Sequence, residues 1–459
     1  MSAGEEHNMA IALRVMMLLG LFCIANVTLA SLSAAEDIYP LKVSSNKRYL
    51  VDKHNNPYLL FADTAWMLPS SATDADVKYY LDDRAAKGFN SILCYAAPWL
   101  MDYKPKCGHQ TFVNNDLATP NDEFFSHVDW IIQQALQRNM QVLLCPAEMG
   151  SYSKYYTPEN ARALGRYLGK RYKDIPNVIW FTGGDITPTL QQQTVINELA
   201  EGIREFDTSH LISMHPAGWS SSSSWFHDET WLGFNMIQSH EKGHPSAYAL
   251  VKKDYGKTPA KPTIDVEPCY ENCYGTTAFH VRQANGWQFF AGGCGLAYGA
   301  QYVYNLDYEG EKWKENLDLP GVNHLANMNR CIKAREWHKL VPDFNHEMLT
   351  SGYGTEKKDD YITAAKASDN TFGMYYMPSS RETAINMAVF NAPKSIKKFD
   401  PTNNTTTTIA TEVANSGNYT VAAPGNNSAG QGDWIIIIES ETSATPASSA
   451  TSPSATKNQ

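Results

Sequence analysis

The sequence predicts an α/β protein, a (β/α)8 TIM barrel followed by a small antiparallel β-sandwich domain. Three observations predict it. Short apolar runs alternate eight times with segments of helical spacing, each run closes on or just before a polar residue, and after Trp337 the pattern changes to short alternating runs separated by turn residues.

The units follow in order. Leu59–Asp63 is a strand, followed by a helix opened by Thr73 or Asp74 in which Val77, Tyr80, Leu81 and Ala85 fall on one face. Ser91–Tyr95 precedes the helix Phe124–Gln137, and Gln141–Cys145 precedes the helix Pro158–Tyr172. Asn177–Thr182 leads to the helix Leu190–Phe206, and Leu211–His215 is a fifth strand. Phe234–Gln238 is followed by a helix over Ala247–Tyr255, Thr263–Glu267 by one over Thr277–Phe290, and Gly295–Tyr304 supplies the eighth strand. Beyond residue 340, Asp360–Ala365, Phe372–Tyr376, Ala384–Phe390, Tyr419–Val421 and Trp434–Ile438 read as strands of the second domain, residues 341–440.

The two ends have other compositions. Arg14, the apolar run Val15–Ile24 and small residues through Ala35 form the pattern of a secretory signal peptide over residues 1–35, with Glu5 and Glu6 fitting it only if translation begins at Met9. Residues 441–459, rich in Ser, Thr and Pro, have almost nothing to bury and are expected to be disordered. The expected location is therefore secreted, periplasmic or extracellular, with no membrane association after signal removal. Asn403, Asn404, Asn418 and Asn426 each open an Asn-x-Ser/Thr sequon.

Net charge is -10 with no Lys/Arg block, which argues against a nucleic-acid partner. Seven cysteines follow the signal segment, so at least one stays unpaired; Cys269 and Cys273 are spaced for a local bridge. No Cys-x-x-Cys pair occurs, and neither a metal nor a cofactor is expected.

In a barrel of this kind chemistry sits at the C-terminal ends of the strands. Polar residues stand there throughout: Asp63, Tyr95, Glu148, Asp185, His215, Gln238 to His240, Glu267 and Tyr304. The stretch Thr263–Glu271, TIDVEPCYE, carries three carboxylates, and strand alternation places Asp265 and Glu267 on one side. Acids closing strands four and seven face each other across a barrel mouth, as needed to protonate a glycosidic oxygen and attack the sugar carbon. Asp185, set among Trp180, Phe181 and glycines, is assigned as acid/base; Glu267, with Tyr270 as a hydrogen-bond donor, as nucleophile. Asp63 is read as bonding sugar hydroxyls or as a helix cap, and Trp66 as stacking on a sugar ring. Tyr95, His215, Trp219, His240 and Tyr304 are expected to complete the pocket. Glu148 would orient a water or pair with an arginine.

The runs Leu41–Asp52, Phe61–Trp66 (FADTAW) and Tyr80–Asn90 (YLDDRAAKGFN), with the Gly183-Gly184-Asp185 turn and Asp265–Glu271 (DVEPCYE), resemble the apiosidase-like barrels of glycoside hydrolase family 140. The resemblance covers roughly residues 40–340, and the C-terminal segment resembles the collagen-binding-type domain that follows such barrels. It implies exo-type removal of apiose from plant pectic side chains, with an Asp after strand four and a Glu after strand seven; the matching positions are Asp185 and Glu267. Two other classes stand beside this one: a non-catalytic carbohydrate-binding barrel, and a surface adhesion protein acting through residues 341–440.

Overall fold

The computed structural model describes residues 37–98, 103–240, 246–306 and 312–441. The expected signal peptide and the tail beyond Glu441 lie outside the described residues. Eight parallel strands occur where the apolar runs stand: β1 (Leu60–Thr64), β2 (Ser91–Tyr95), β3 (Gln141–Cys145), β4 (Val178–Ile186), β5 (Ile212–Pro216), β6 (Asn235–Gln238), β7 (Thr263–Asp265) and β8 (Gly295–Tyr298).

Six of them form one curled parallel sheet in the order β8-β1-β2-β3-β4-β5, and β6 pairs with β7 in a second. Single backbone bonds bridge the two: Gly233 N–H donates to the Ile212 carbonyl at 2.8 Å, and Cys294 N–H to the Thr263 carbonyl at 2.9 Å. Alternation sorts the strand side chains. Leu60, Ala62, Leu93, Leu143, Ile179, Met236 and Ile264 join one apolar cluster, while their neighbours Phe61, Ile92, Val142, Trp180, Ile237 and Leu296 join another that includes the helices.

The helices start where side chains can satisfy their free N–H groups. Thr73 with Asp76, Thr157 with Asn160 and Thr189 with Gln192 form reciprocal capping boxes at the helices Asp74–Ala86, Pro158–Tyr172 and Leu190–Arg204, each worth about 1 kcal/mol. The helix expected from Phe124 begins instead at Asp122, because the Asn121 side chain accepts from Glu123 N–H.

Strand β7 stops at Asp265, two residues short of expectation, and a bend carries the chain onward. Asp265 and Glu267 consequently find different partners: Asp265 accepts from Ser239 N–H at 3.2 Å, whereas Glu267 meets His215. The third acid of that stretch, Glu271, is structural. It accepts from Tyr298 Oη at 2.6 Å and from Gly321 N–H at 3.0 Å, at the start of the helix Pro320–Lys333.

The C-terminal residues form two antiparallel sheets. The larger runs 340–342, 363–367, 373–377, 434–439, 394–400, 405–413, and the smaller 349–351, 383–386, 418–421. Leu349, Ile385 and Val421 of the smaller share one apolar cluster with Tyr375, Ile436 and Ile438 of the larger. The expected strand Ala384–Phe390 is cut to Thr383–Asn386 by a short helical turn. Four strands escape the sequence reading, of which Leu340–Pro342 and Leu349–Ser351 are only three residues long. Thr405–Val413 is an edge strand exposed along most of its length, so it lacks apolar alternation, and Lys394–Asp400 is irregularly paired near Ile396, which breaks the period of two.

This domain is joined to the helix Ala278–Phe290 by buried polar contacts. Arg282 donates to Asp433 through Nε at 2.7 Å and Nη2 at 2.8 Å, and Trp287 Nε1 donates to the Tyr361 carbonyl at 2.7 Å. No helix among the described residues is long and apolar enough to cross a membrane. The seven described cysteines are free thiols, so Cys269 and Cys273 do not form the local bridge that their spacing allows.

Candidate active site

Strand β4 ends on a deformed turn. Gly183 (φ 78°), Gly184 (φ 102°) and Asp185 (φ 42°) are all left-handed, and the pairing with β5 slips between Gly183 and Ile186. Both glycines are required by contact as well as by backbone. A Cβ on Gly183 would lie 2.6 Å from the His215 carbonyl, and one on Gly184 2.6 Å from Glu148 Cγ. The turn holds Asp185 exposed at the mouth.

Opposite it, His215 at the end of β5 and Glu267 after β7 are buried, with His215 Nε2 2.9 Å from Glu267 Oε2. The contact is electrostatic, since neither atom has an aligned hydrogen bond. One ligand atom from each of Asp185, His215 and Glu267 lies within 4.8 Å of the other two. Two carboxylates and an imidazole at that spacing could hold a divalent cation, and are equally the acids that glycosyl transfer to water requires.

The electrostatics divide the two acids. Although Asp185 as a residue is exposed at the mouth, the protein packed around its carboxyl and then the charge of Glu267 raise its pKa, outweighing the opposing influence of His215, Gln238 and His240. Burial disfavours the charged form of His215, yet contact with Glu267 outweighs it and the imidazole pKa is raised. Beside Glu267 stands Tyr270, whose oxygen accepts from Trp66 Nε1 at 2.9 Å, leaving its own proton for the carboxylate.

Several expected residues gather here. The Tyr95 hydroxyl lies against Gly184, and Glu148, Asp185 and Glu267 all add to the burial that raises its pKa. Glu148 caps the short helix Met149–Tyr152 by accepting from Ser151 N–H at 2.7 Å; it pairs with no arginine, correcting that expectation, and its other oxygen has no partner among the described residues. Trp219, His240 and Tyr270 line a cleft of about 370 Å³ together with Pro268, Tyr274 and Thr276. Tyr304 stacks on Tyr270 with ring centroids 5.3 Å apart.

Two further expectations are corrected. Asp63 is fully buried, accepting from Tyr80 Oη at 2.6 Å and pairing with Arg84 Nε at 2.9 Å, so it neither reaches sugar hydroxyls nor caps a helix. Trp66 is only 3% exposed, with one face stacked on Tyr95 at 4.6 Å, so it supports the site instead of offering a platform to a ring.

The sequence reading overlooks other residues. Gln238, treated only as a strand end, stands against Asp185, and Tyr274 and Thr276 lie in a loop whose Asn272 and Gly275 mark a turn. It also passes over His240-Glu241-Lys242-Gly243-His244, whose His-x-x-x-His spacing binds zinc when it lies on a helix. His240 has φ 62° and lies outside any helix, while residues 241–245 lie outside the described residues.

Residues 44–339 match the family described as "Apiosidase-like, catalytic domain", and residues 341–439 the "Putative collagen-binding domain of a collagenase". Among solved structures, one titled "Glycoside hydrolase" superimposes with a TM-score of 0.79 at 24% identity, covering 87% of this chain and 96% of that one. A glycoside hydrolase family 5 structure from Bacteroides vulgatus ATCC 8482 gives 0.78 at 24% identity, covering 87% and 93%. No curated protein matches the chain. With the match spanning most of the chain and the paired acids standing at the mouth of the matched region, the chain belongs to the apiosidase-like family of catalytic domains and is a glycosidase.

Proposed function

We propose that this protein is an exported hydrolase that removes a terminal sugar from plant or algal cell-wall polysaccharide by a retaining two-carboxylate mechanism. Apiose is the sugar that the family suggests. The eight strands are read as a complete (β/α)8 barrel, the two backbone bridges between the sheets supporting closure. Export is supported by the signal-like pattern of residues 1–35.

The observation that carries the mechanism is the spacing of Asp185 and Glu267. Carboxyl groups about 5 to 5.5 Å apart suit a nucleophile and an acid/base, whereas inverting enzymes hold them about 6.5 to 9.5 Å apart to admit a water. The closest oxygens here fall within 4.8 Å. Asp185, whose pKa is raised partly by the charge of Glu267, starts protonated and gives its proton to the leaving oxygen while a Glu267 oxygen bonds the anomeric carbon. Ester formation removes that charge. The Asp185 pKa then falls, and the same carboxylate takes a proton from the water that cleaves the ester.

The test is sugar release from a panel of plant polysaccharides, rhamnogalacturonan II included, by wild type, Glu267→Gln and Asp185→Asn, with the anomer of the first-formed product read by NMR. Release by wild type, loss in both variants and retained configuration are expected. Release that survives both changes overturns the residue assignment, and an inverted product overturns Glu267 as nucleophile.

A further inference from the structure

We propose that the aromatic cleft beside Asp185 and Glu267 binds the sugar on the leaving-group side of the scissile bond, so that the enzyme selects a terminal sugar carried by a glycan chain over the same sugar on a small aglycone. The inference rests on the two-carboxylate reading above.

The direction of the cleft follows from which acid each wall residue meets. The cleft adjoins both acids: Tyr270 on its wall stands at Glu267, and Trp219 on its wall donates its N–H at 2.7 Å to the carbonyl of Gln238, whose side chain meets Asp185. Asp185 delivers its proton to the oxygen of the leaving group, so the space beyond Asp185 belongs to that group. Trp219, joined to Gln238 beside Asp185, stands on that side, and Tyr274 lines the same cleft.

These two rings are set up at a cost. Trp219 is 53% and Tyr274 89% exposed, leaving large apolar faces in water. Trp219 (φ 59°), His240 (φ 62°) and Tyr274 (φ 49°) are all left-handed non-glycine residues lining one cleft. Such conformations cost about 1 kcal/mol or more each and persist only where the surroundings impose them. Here Trp219 N–H donates to the Gln238 carbonyl at 2.7 Å and Asn272 N–H to the Thr276 carbonyl at 3.0 Å. A structural role would bury the rings. Strained backbone that presents aromatic faces to solvent, continuous with a glycosidase site, fits stacking on the apolar face of a sugar ring. A cleft of about 370 Å³ lies at the small end of ligand pockets, which suits a sugar residue or two next to the cleaved bond.

The test compares Trp219→Ala and Tyr274→Ala with wild type on two substrates: the polysaccharide that gives sugar release, and the glycosyl fluoride of that same sugar. Fluoride is too small to reach either ring. Each variant is expected to lose kcat/KM about tenfold more on the polysaccharide than on the fluoride, mainly through KM, with Trp219→Phe recovering most of the loss. Equal losses on both substrates, or none on either, would overturn the inference. Binding decides it apart from catalysis: Glu267→Gln should be retarded in gels containing rhamnogalacturonan II, xyloglucan or arabinogalactan, and adding Trp219→Ala or Tyr274→Ala should abolish the retardation. No retardation in any gel, or retardation that both changes leave intact, overturns the subsite. Wild-type inactivity on every substrate would instead remove the two-carboxylate reading, leaving the gels to decide this one.

Discussion

His215 Nε2 lies 2.9 Å from Glu267 Oε2, and both groups are buried. Burying a carboxylate is costly without a compensating charge, and the His215 imidazole, whose pKa contact with Glu267 raises, is placed to supply it. His215→Gln is expected to lower kcat/KM about tenfold or more, because it leaves the buried Glu267 carboxylate without its charged neighbour. The sign for stability is the reverse of a carboxylate's. A histidine whose folded pKa is raised stabilises fully below its ordinary value of 6.5, and that contribution fades as pH rises through the folded value. Thermal unfolding should show wild type most ahead of the variant below that ordinary value; an advantage that grows with pH would contradict the pairing.

Gly184 fixes where Asp185 stands. Gly184→Ala forces a Cβ to within 2.6 Å of Glu148 Cγ at a φ of 102°. Displacing a catalytic group by an ångström costs about 10²-fold, so kcat should fall by about that factor while the far-ultraviolet circular dichroism stays unchanged. Full activity in this variant would show that the turn is not what positions Asp185.

Asp265 is buried with one oxygen unpartnered, and burial pushes its pKa up to about 7. The folded state therefore binds its proton more tightly than the unfolded chain. The sign is again unlike that of an exposed acid: stability is lost as pH rises from the ordinary value of 3.8 through about 7, by on the order of 4 kcal/mol. Asp265→Asn, which cannot ionise, should gain stability relative to wild type as pH rises from 4 to 8. Parallel melting-temperature profiles for the two proteins would refute this.

Arg282 and Asp433 tie the C-terminal sheets to the helix Ala278–Phe290 through an ion pair with no exposed surface. Removing one partner strands the other charge, at about 3–5 kcal/mol, so Asp433→Ala should lower the unfolding midpoint substantially. A chain ending at residue 340 would also uncover Trp287, whose Nε1 bonds the Tyr361 carbonyl, and Gly286, which packs on Tyr376. Calorimetry of the full chain should give one cooperative transition; two well-separated transitions would mean that the junction contributes little.

How much of this was legible in the sequence varied from residue to residue. The runs that became β2 and β3 and the helix Pro158–Tyr172 have the expected bounds, because their apolar periods and caps are local. Lys394–Asp400 and Thr405–Val413 escaped because irregular pairing and edge exposure erase the alternation on which such a reading depends. Asp63 and Trp66 misled for a different reason: polarity and aromaticity at a strand end are the same letters whether Arg84 and Tyr95 cover them or a sugar does.

The sequence by itself determined where the eight strand runs fall, most of the helix starts and the two acids near the ends of strands four and seven, since periodicity, capping and strand ends are properties of neighbouring residues. Only the tertiary structure decided that Asp185 and Glu267 come within reach of each other with His215 between them, that Asp265 and Glu271 take structural partners, and that Trp219 and Tyr274 share a cleft. Those relations join residues tens of positions apart. Their burial and charge are set by what folds around them, which no local pattern encodes.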